Sequence, residues 1–249
     1  MKKWKLVLEV VVIVGILVGA KMVVHFLDRD TIAVSTLFTA FVGGVIFTLA
    51  IIFSGVLADY KESEKIPGEL ATSIKTLYKD TNILPMNEAK IAADMRAHIK
   101  ELLRTLNSNF RRNTWELKKI NAAMDSVNND TALLVEKGVA PVFIGRYRTE
   151  LSNIDRVSNR VAVITRTSFI PAAYAISELA IGLVLISMLF MEVEPYYVAL
   201  LLLSSIAFLL IGIILLIKDM DNPFEFEKGT HADVDLSILF ELELYLEGN

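Results

Sequence analysis

The chain has 249 residues, 54% of them hydrophobic, with 6 prolines and no cysteine, and its mean hydropathy is +0.51. That is too apolar for an ordinary soluble domain and too poor in turn residues for an all-β one, which points to a helical, membrane-embedded protein. A net charge of −4 offers no basic field for nucleic acid, and the lack of cysteine excludes disulfides, thiolate metal sites and cysteine nucleophiles.

Four segments are long enough to cross a hydrocarbon layer of ~30 Å, which takes about 20 apolar residues as helix. The first, residues 6–27, follows Lys2, Lys3 and Lys5 and contains Glu9, Lys21 and His25. Its basic flank also fits a signal peptide, but "LVGAKMVVHFL" offers no small-x-small cleavage site, so an uncleaved span is expected. His25 is expected at the headgroup level. Glu9, close to Lys5, is read as reaching the interface.

The second span, residues 31–58, carries no charge. At 3.6 residues per turn Ser35, Thr39, Gly43, Ile46, Ala50 and Ser54 fall within an arc of roughly 100°. This small, weakly polar stripe has two readings. Small residues let helices pack closely, whereas a hydroxyl-bearing face beside Phe47 and Ile51 suits an axial pore with an apolar constriction. Four spans are too few to enclose a wide pore, so conduction would require an oligomer.

Residues 59–168 read as a helical bundle rather than a linker. Leu70, Ile74 and Leu77 follow Pro67, a residue placed to open a helix. Ile91, Met95, Ile99, Leu102, Leu106 and Phe110 make one apolar stripe, and Phe143, Tyr147, Leu151, Ile154, Val157, Val161 and Ile164 make another. "NILPMNEAK" and "VNNDTALLVEKGVAPV" are the expected breaks.

The third span, residues 169–191, contains Glu178 about two turns in, beyond Pro171. An intramembrane acid can line a water path or pair across an interface; the alternative is a carboxylate reaching back to the headgroups. The fourth, residues 195–217, is uncharged. Lys and Arg concentrate at the N-terminus and between spans two and three, which predicts that both termini and the long loop are cytoplasmic. The expected organisation is thus residues 1–58 and 169–217 in the bilayer, with 59–168 and the tail 218–249 in the cytoplasm. In the tail, "DLSILFELELYLEGN" alternates as a strand would, yet Leu and Glu favour helix, and a short helix is expected.

No metalloprotease, nucleophile-elbow or phosphate-loop motif is present, and the three histidines are scattered. Nothing in the sequence supports an enzyme.

After the fourth span the chain reads "IKDMDNPFEFEKG". Its "DMDNPFEFE" resembles the sequence that follows the last membrane helix in the bestrophin family, with Asn222, Pro223 and Phe224 the most specific match. "LADYKESEKIPGELATSIKTLY" after the second span is similar to the family pattern as well, and so is the order of four spans around one large helical segment. The resemblance implies an all-α, bestrophin-like pentameric ion channel passing small inorganic ions. The second span of each subunit would line an axial pore narrowed near Gly43, Phe47 and Ile51, with Ser35 and Thr39 outside the narrowing. Gly43 departs from the family's bulky rings. In animal members the acidic run forms a calcium clasp, for which Asp219, Asp221, Asn222, Glu225 and Glu227 could supply oxygen ligands in part. Here "EFEKG" stands where the family has Gly and consecutive acids. The expectation is a structural turn, Pro223 ending the span and Phe224 anchoring at the interface, with no cofactor and calcium as the alternative. The competing functional class is a non-conducting receptor or scaffold whose cytoplasmic helices bind a partner.

Overall fold

A computed structural model of the chain describes residues 4–84, 88–166, 171–225 and 232–248. In chain order its elements are α1 (Lys5–Phe26), β1 (Ile32–Ala33), α2 (Thr36–Ser63), α3 (Ile66–Asp80), a 3₁₀ turn at Thr81–Ile83, α4 (Ala89–Arg111) and α5 (Leu117–Glu136). There follow α6 (Pro141–Arg166), α7 (Pro171–Leu189), β2 (Met191–Glu192), α8 (Tyr196–Met220) and α9 (Ser237–Glu247). Among the described residues four helical segments are long and apolar enough to cross a membrane, namely α1, α2, α7 and α8 with the helices that continue two of them. The chain divides into two compact units, residues 1–60 with 168–221 and residues 61–167 with 222–249.

In the first unit α1 lies along α8. Val10 packs with Ala207 and Ile211, and Val14, Leu17, Leu185 and Leu215 close around them. Both helices are apolar on every side, so the sequence could not indicate which side meets a neighbour. β1 and β2 pair in parallel, Ile32 opposite Met191 and Ala33 opposite Glu192, and the N–H groups of Thr31 and Ile32 both donate to Phe190 O at 3.0 Å. This pairing corrects the expected start of the second span. Residues 31–35 are drawn into an extended segment, and the helix begins at Thr36 and runs on to Ser63. Ser35 is therefore not on the helix but caps it, its Oγ accepting the Phe38 N–H at 3.1 Å.

In the second unit α3 packs on α6, α4 on α5, and α5 on α6. The apolar stripes form its core: Leu70, Ile74, Leu77, Met95, Ile99, Leu102, Leu106, Tyr147 and Ile154 are fully buried. The expected break across "VNNDTALLVEKGVAPV" is wrong over most of its length. Residues 127–136 belong to α5, whose Ile120, Met124, Val127, Thr131 and Leu134 are buried at three- and four-residue spacing. The polar run inside it is satisfied in place: Asp130 accepts from His98 Nδ1 at 2.7 Å, and the Thr131 hydroxyl donates to Val127 O at 2.9 Å. The real stop is Gly138, at φ +76°, a left-handed conformation that glycine adopts without a Cβ clash.

The tail is helical, as expected. α9 buries Leu239, Leu242 and Leu246 against α3 and α4. Asn107 Nδ2 donates to Leu239 O at 3.1 Å and to Glu243 at 2.8 Å, while Arg111 pairs with Glu243 at 2.9 Å and lies over the Phe240 ring. At its start the Ser237 N–H donates to Asp235 at 2.9 Å, a bond that holds the Asp235 carboxyl below its usual range.

Candidate functional site

α2 has two unlike faces. Val42, Val45, Leu49, Ile52 and Val56 form a buried line. On the opposite side Thr39, Gly43, Phe47, Ala50, Ile51 and Ser54 are all exposed. Phe47 is 68% exposed and Ile51 58%. A Cβ placed on Gly43 or Gly44 would meet nothing within 4 Å, so these glycines do not serve close packing against the described residues. The hydroxyls are bonded along the helix: Thr39 donates to Ser35 O at 3.2 Å and Thr48 to Gly44 O at 2.9 Å. The outcome is an uncharged face carrying two bulky apolar side chains between small and hydroxyl-bearing ones.

Glu178 on α7 is not alone: its carboxylate pairs with Lys218 Nζ near the end of α8. An acid so neutralised costs far less in an apolar setting than a free one. Lys218 also stands in the last turn of its helix, where a cation is favoured by the helix dipole.

Asp219 lies in the last turn of α8 and Asp221 just past it. In the turn that follows, Asn222 Nδ2 donates to Glu225 Oε1 at 3.2 Å, and Val234 N–H donates to Pro223 O at 2.9 Å. Phe224 corrects the sequence reading: it is 3% exposed, its ring packed on Phe110 rather than set at a membrane interface. A cavity of about 50 Å³ beside it is lined by Asn109, Thr114, Asn222 and Glu225 among others. Among the described residues no three acidic or histidine side chains are arranged to hold a metal ion. Glu227 lies outside the described residues.

One cluster was missed from sequence. Lys21, 1% exposed, donates to Asp30 Oδ1 at 2.7 Å, to Leu189 O at 3.1 Å and to Met191 O at 2.6 Å. The other Asp30 oxygen accepts from His25 Nδ1 at 2.6 Å, and the His25 ring stacks on Tyr196 at 3.8 Å. Burial disfavours the Asp30 charge, but the hydrogen bonds and charges of Lys21 and His25 outweigh it and hold the carboxyl below the usual carboxylate range. Lys21 and His25 are four residues apart on α1, a spacing that puts both on one face. That was the available signal; the carbonyl partners, far along the chain, left none.

Residues 6–225 match the family model of the bestrophin-like domain. The chain belongs to the bestrophin-like family. Its fold is that of solved members. A variant of a bacterial bestrophin homolog from Klebsiella pneumoniae matches with a TM-score of 0.82 at 14% identity, covering 98% of this chain and 97% of that one. A second variant of that homolog gives 0.77 at 15% identity over 98% of each chain. A structure described as a membrane protein gives 0.78 at 15%, again over 98% of each. No curated protein matches the sequence. At these identities the bestrophin-like fold is shared while nearly every side chain differs, so the roles of the faces and clusters above rest on this chain's own chemistry.

Proposed function

We propose that the protein is a bestrophin-like ion channel, an oligomer and specifically a pentamer, that conducts small inorganic ions passively through an axial pore lined by α2. The observation that carries this is the exposed, uncharged α2 face, which no described residue covers and on which Phe47 and Ile51 project among Thr39, Gly43 and Ser54. Around an axis such faces make a narrow path, apolar where the large side chains meet and hydroxyl-lined elsewhere. Ser35 and Thr39 flank its entrance. In this reading the four apolar helices lie in the bilayer, and residues 59–168 and 218–249 are cytoplasmic, on the side to which the Lys and Arg distribution assigns them. The turn at Asp219, Asp221, Asn222 and Glu225 is structural, and the protein acts as a channel rather than an enzyme.

Flux from purified protein in liposomes, with K⁺ and Cl⁻ gradients imposed separately, tests the reading. Wild type is expected to pass ions, and Phe47→Ala to pass more. Silence for both ions from an intact oligomer would overturn it in favour of a non-conducting receptor or scaffold.

A further inference from the structure

Lys21 satisfies all three of its ammonium protons inside the protein, and its acceptors come from separate stretches of chain. Asp30 stands in the turn between α1 and β1, Leu189 is the last residue of α7, and Met191 opens β2. The Leu189 carbonyl lies in the final turn of a helix, where carbonyls lack an intrahelical partner. Asp30, at 12% exposure, is held on its other oxygen by His25. Immediately beyond Asp30, Thr31 and Ile32 bond to Phe190 O, β1 pairs with β2, and Ser35 caps α2. A single buried cation therefore sits at the root of the segment that decides where α2 begins.

We infer that Lys21 is a positioning residue for the first turn of α2, setting the entrance of the conducting face from inside α1 without facing the ion path. The inference rests on the reading of α2 as the conducting helix. Lys21 is almost wholly buried, whereas Leu37 in that first turn is 84% exposed, so the two act on different surfaces. Without the ammonium, two carbonyls and one carboxylate oxygen lose their donor together, and the extended segment carrying Asp30 loses its fixed point. A longer guanidinium still supplies several N–H donors in a charged group.

The chain has no cysteine, so nitroxide labels at Leu37→Cys and Tyr197→Cys report only the first turns of α2 and α8. With labelled protein diluted into unlabelled, Lys21→Met is expected to shift or broaden the distance distribution, and Lys21→Arg to restore it. Asp30→Asn, which leaves the lysine and its carbonyl acceptors in place, is expected to shift it in the same direction and covers the case in which Lys21→Met fails to fold. In flux assays the methionine variant is expected to shift the K⁺ to Cl⁻ flux ratio or the rate away from wild type, and the arginine variant to bring it back. A wild-type distance distribution and wild-type flux in Lys21→Met, alongside a lowered melting temperature, would overturn the inference and leave Lys21 a stabilising residue alone. A wild type that passes no ions would refute the conducting role of α2, while the label distances would still decide whether Lys21 positions it.

Discussion

The ring of Phe224 lies 5.6 Å from that of Phe110, tilted by 44°, and Phe110 in turn contacts Trp115 at 4.7 Å. The residue after the proline is thus the end of an aromatic row whose tryptophan Nε1 donates to Ser158 O at 2.9 Å. Phe224→Ala removes a side chain that is 3% exposed and is expected to cost about 3–5 kcal/mol, as large-to-small core substitutions do. Of the two tryptophans, Trp115 is buried and Trp4 is 60% exposed, so denaturation in detergent followed by fluorescence reports largely on this row. A midpoint unchanged from wild type would contradict the packing role.

The two faces of α2 predict opposite phenotypes. Leu49, fully buried, is expected to lose about 2–5 kcal/mol on truncation to alanine. Phe47→Ala is expected to stay within about 0.5 kcal/mol in the unassembled subunit, as surface substitutions usually do, yet to change flux. Melting and flux measured on both variants test the contrast; a large loss of subunit stability from Phe47→Ala would mean that this face packs.

Asp30 gives a pH dependence with a definite sign. Its carboxyl is depressed in the folded protein, so its contribution is fully present above the unfolded value of about 3.9 and is lost as pH falls through the lower folded value. Melting curves on the acid side of neutrality should therefore show wild type converging on Asp30→Asn as pH drops. Parallel curves that never converge would show that this ionisation does not contribute.

Calcium is expected to leave the protein unchanged. Chelation should not move the melting temperature, because Glu225 Oε1 already accepts from Asn222 Nδ2 and no described cluster is arranged to hold a metal. Calorimetry that finds micromolar calcium binding, abolished by Asp221→Ala, would reverse this.

The spans were legible from their length and unbroken apolarity, and the stripes of α3, α4 and α6 because each repeats at helical spacing and is buried. α5 was not, since Asn128, Asn129 and Asp130 carry the composition of a turn; His98 on a neighbouring helix makes that run tolerable. The start of α2 was misplaced by five residues because apolar content alone cannot tell an extended residue from a helical one when a strand partner lies some 160 positions away. Of the small-residue stripe on α2, Thr39, Gly43, Ala50 and Ser54 are exposed, whereas Ile46 is half-buried and Ser35 precedes the helix. Phe224 was misplaced because its partner, Phe110, is remote in the chain.

The separation between Lys21 and its carbonyl acceptors, 168 and 170 residues, bears on biogenesis. At ~5–20 residues per second a ribosome needs on the order of 10–30 s to make those acceptors after Lys21 has left it. Throughout that interval the carbonyls are missing, whereas the carboxylate that pairs with Lys21 in the folded chain, Asp30, lies only nine residues on. The early hairpin thus carries its own neutralising charge, and an Asp30 variant should show its defect first in insertion yield, before any assembled protein exists to be assayed.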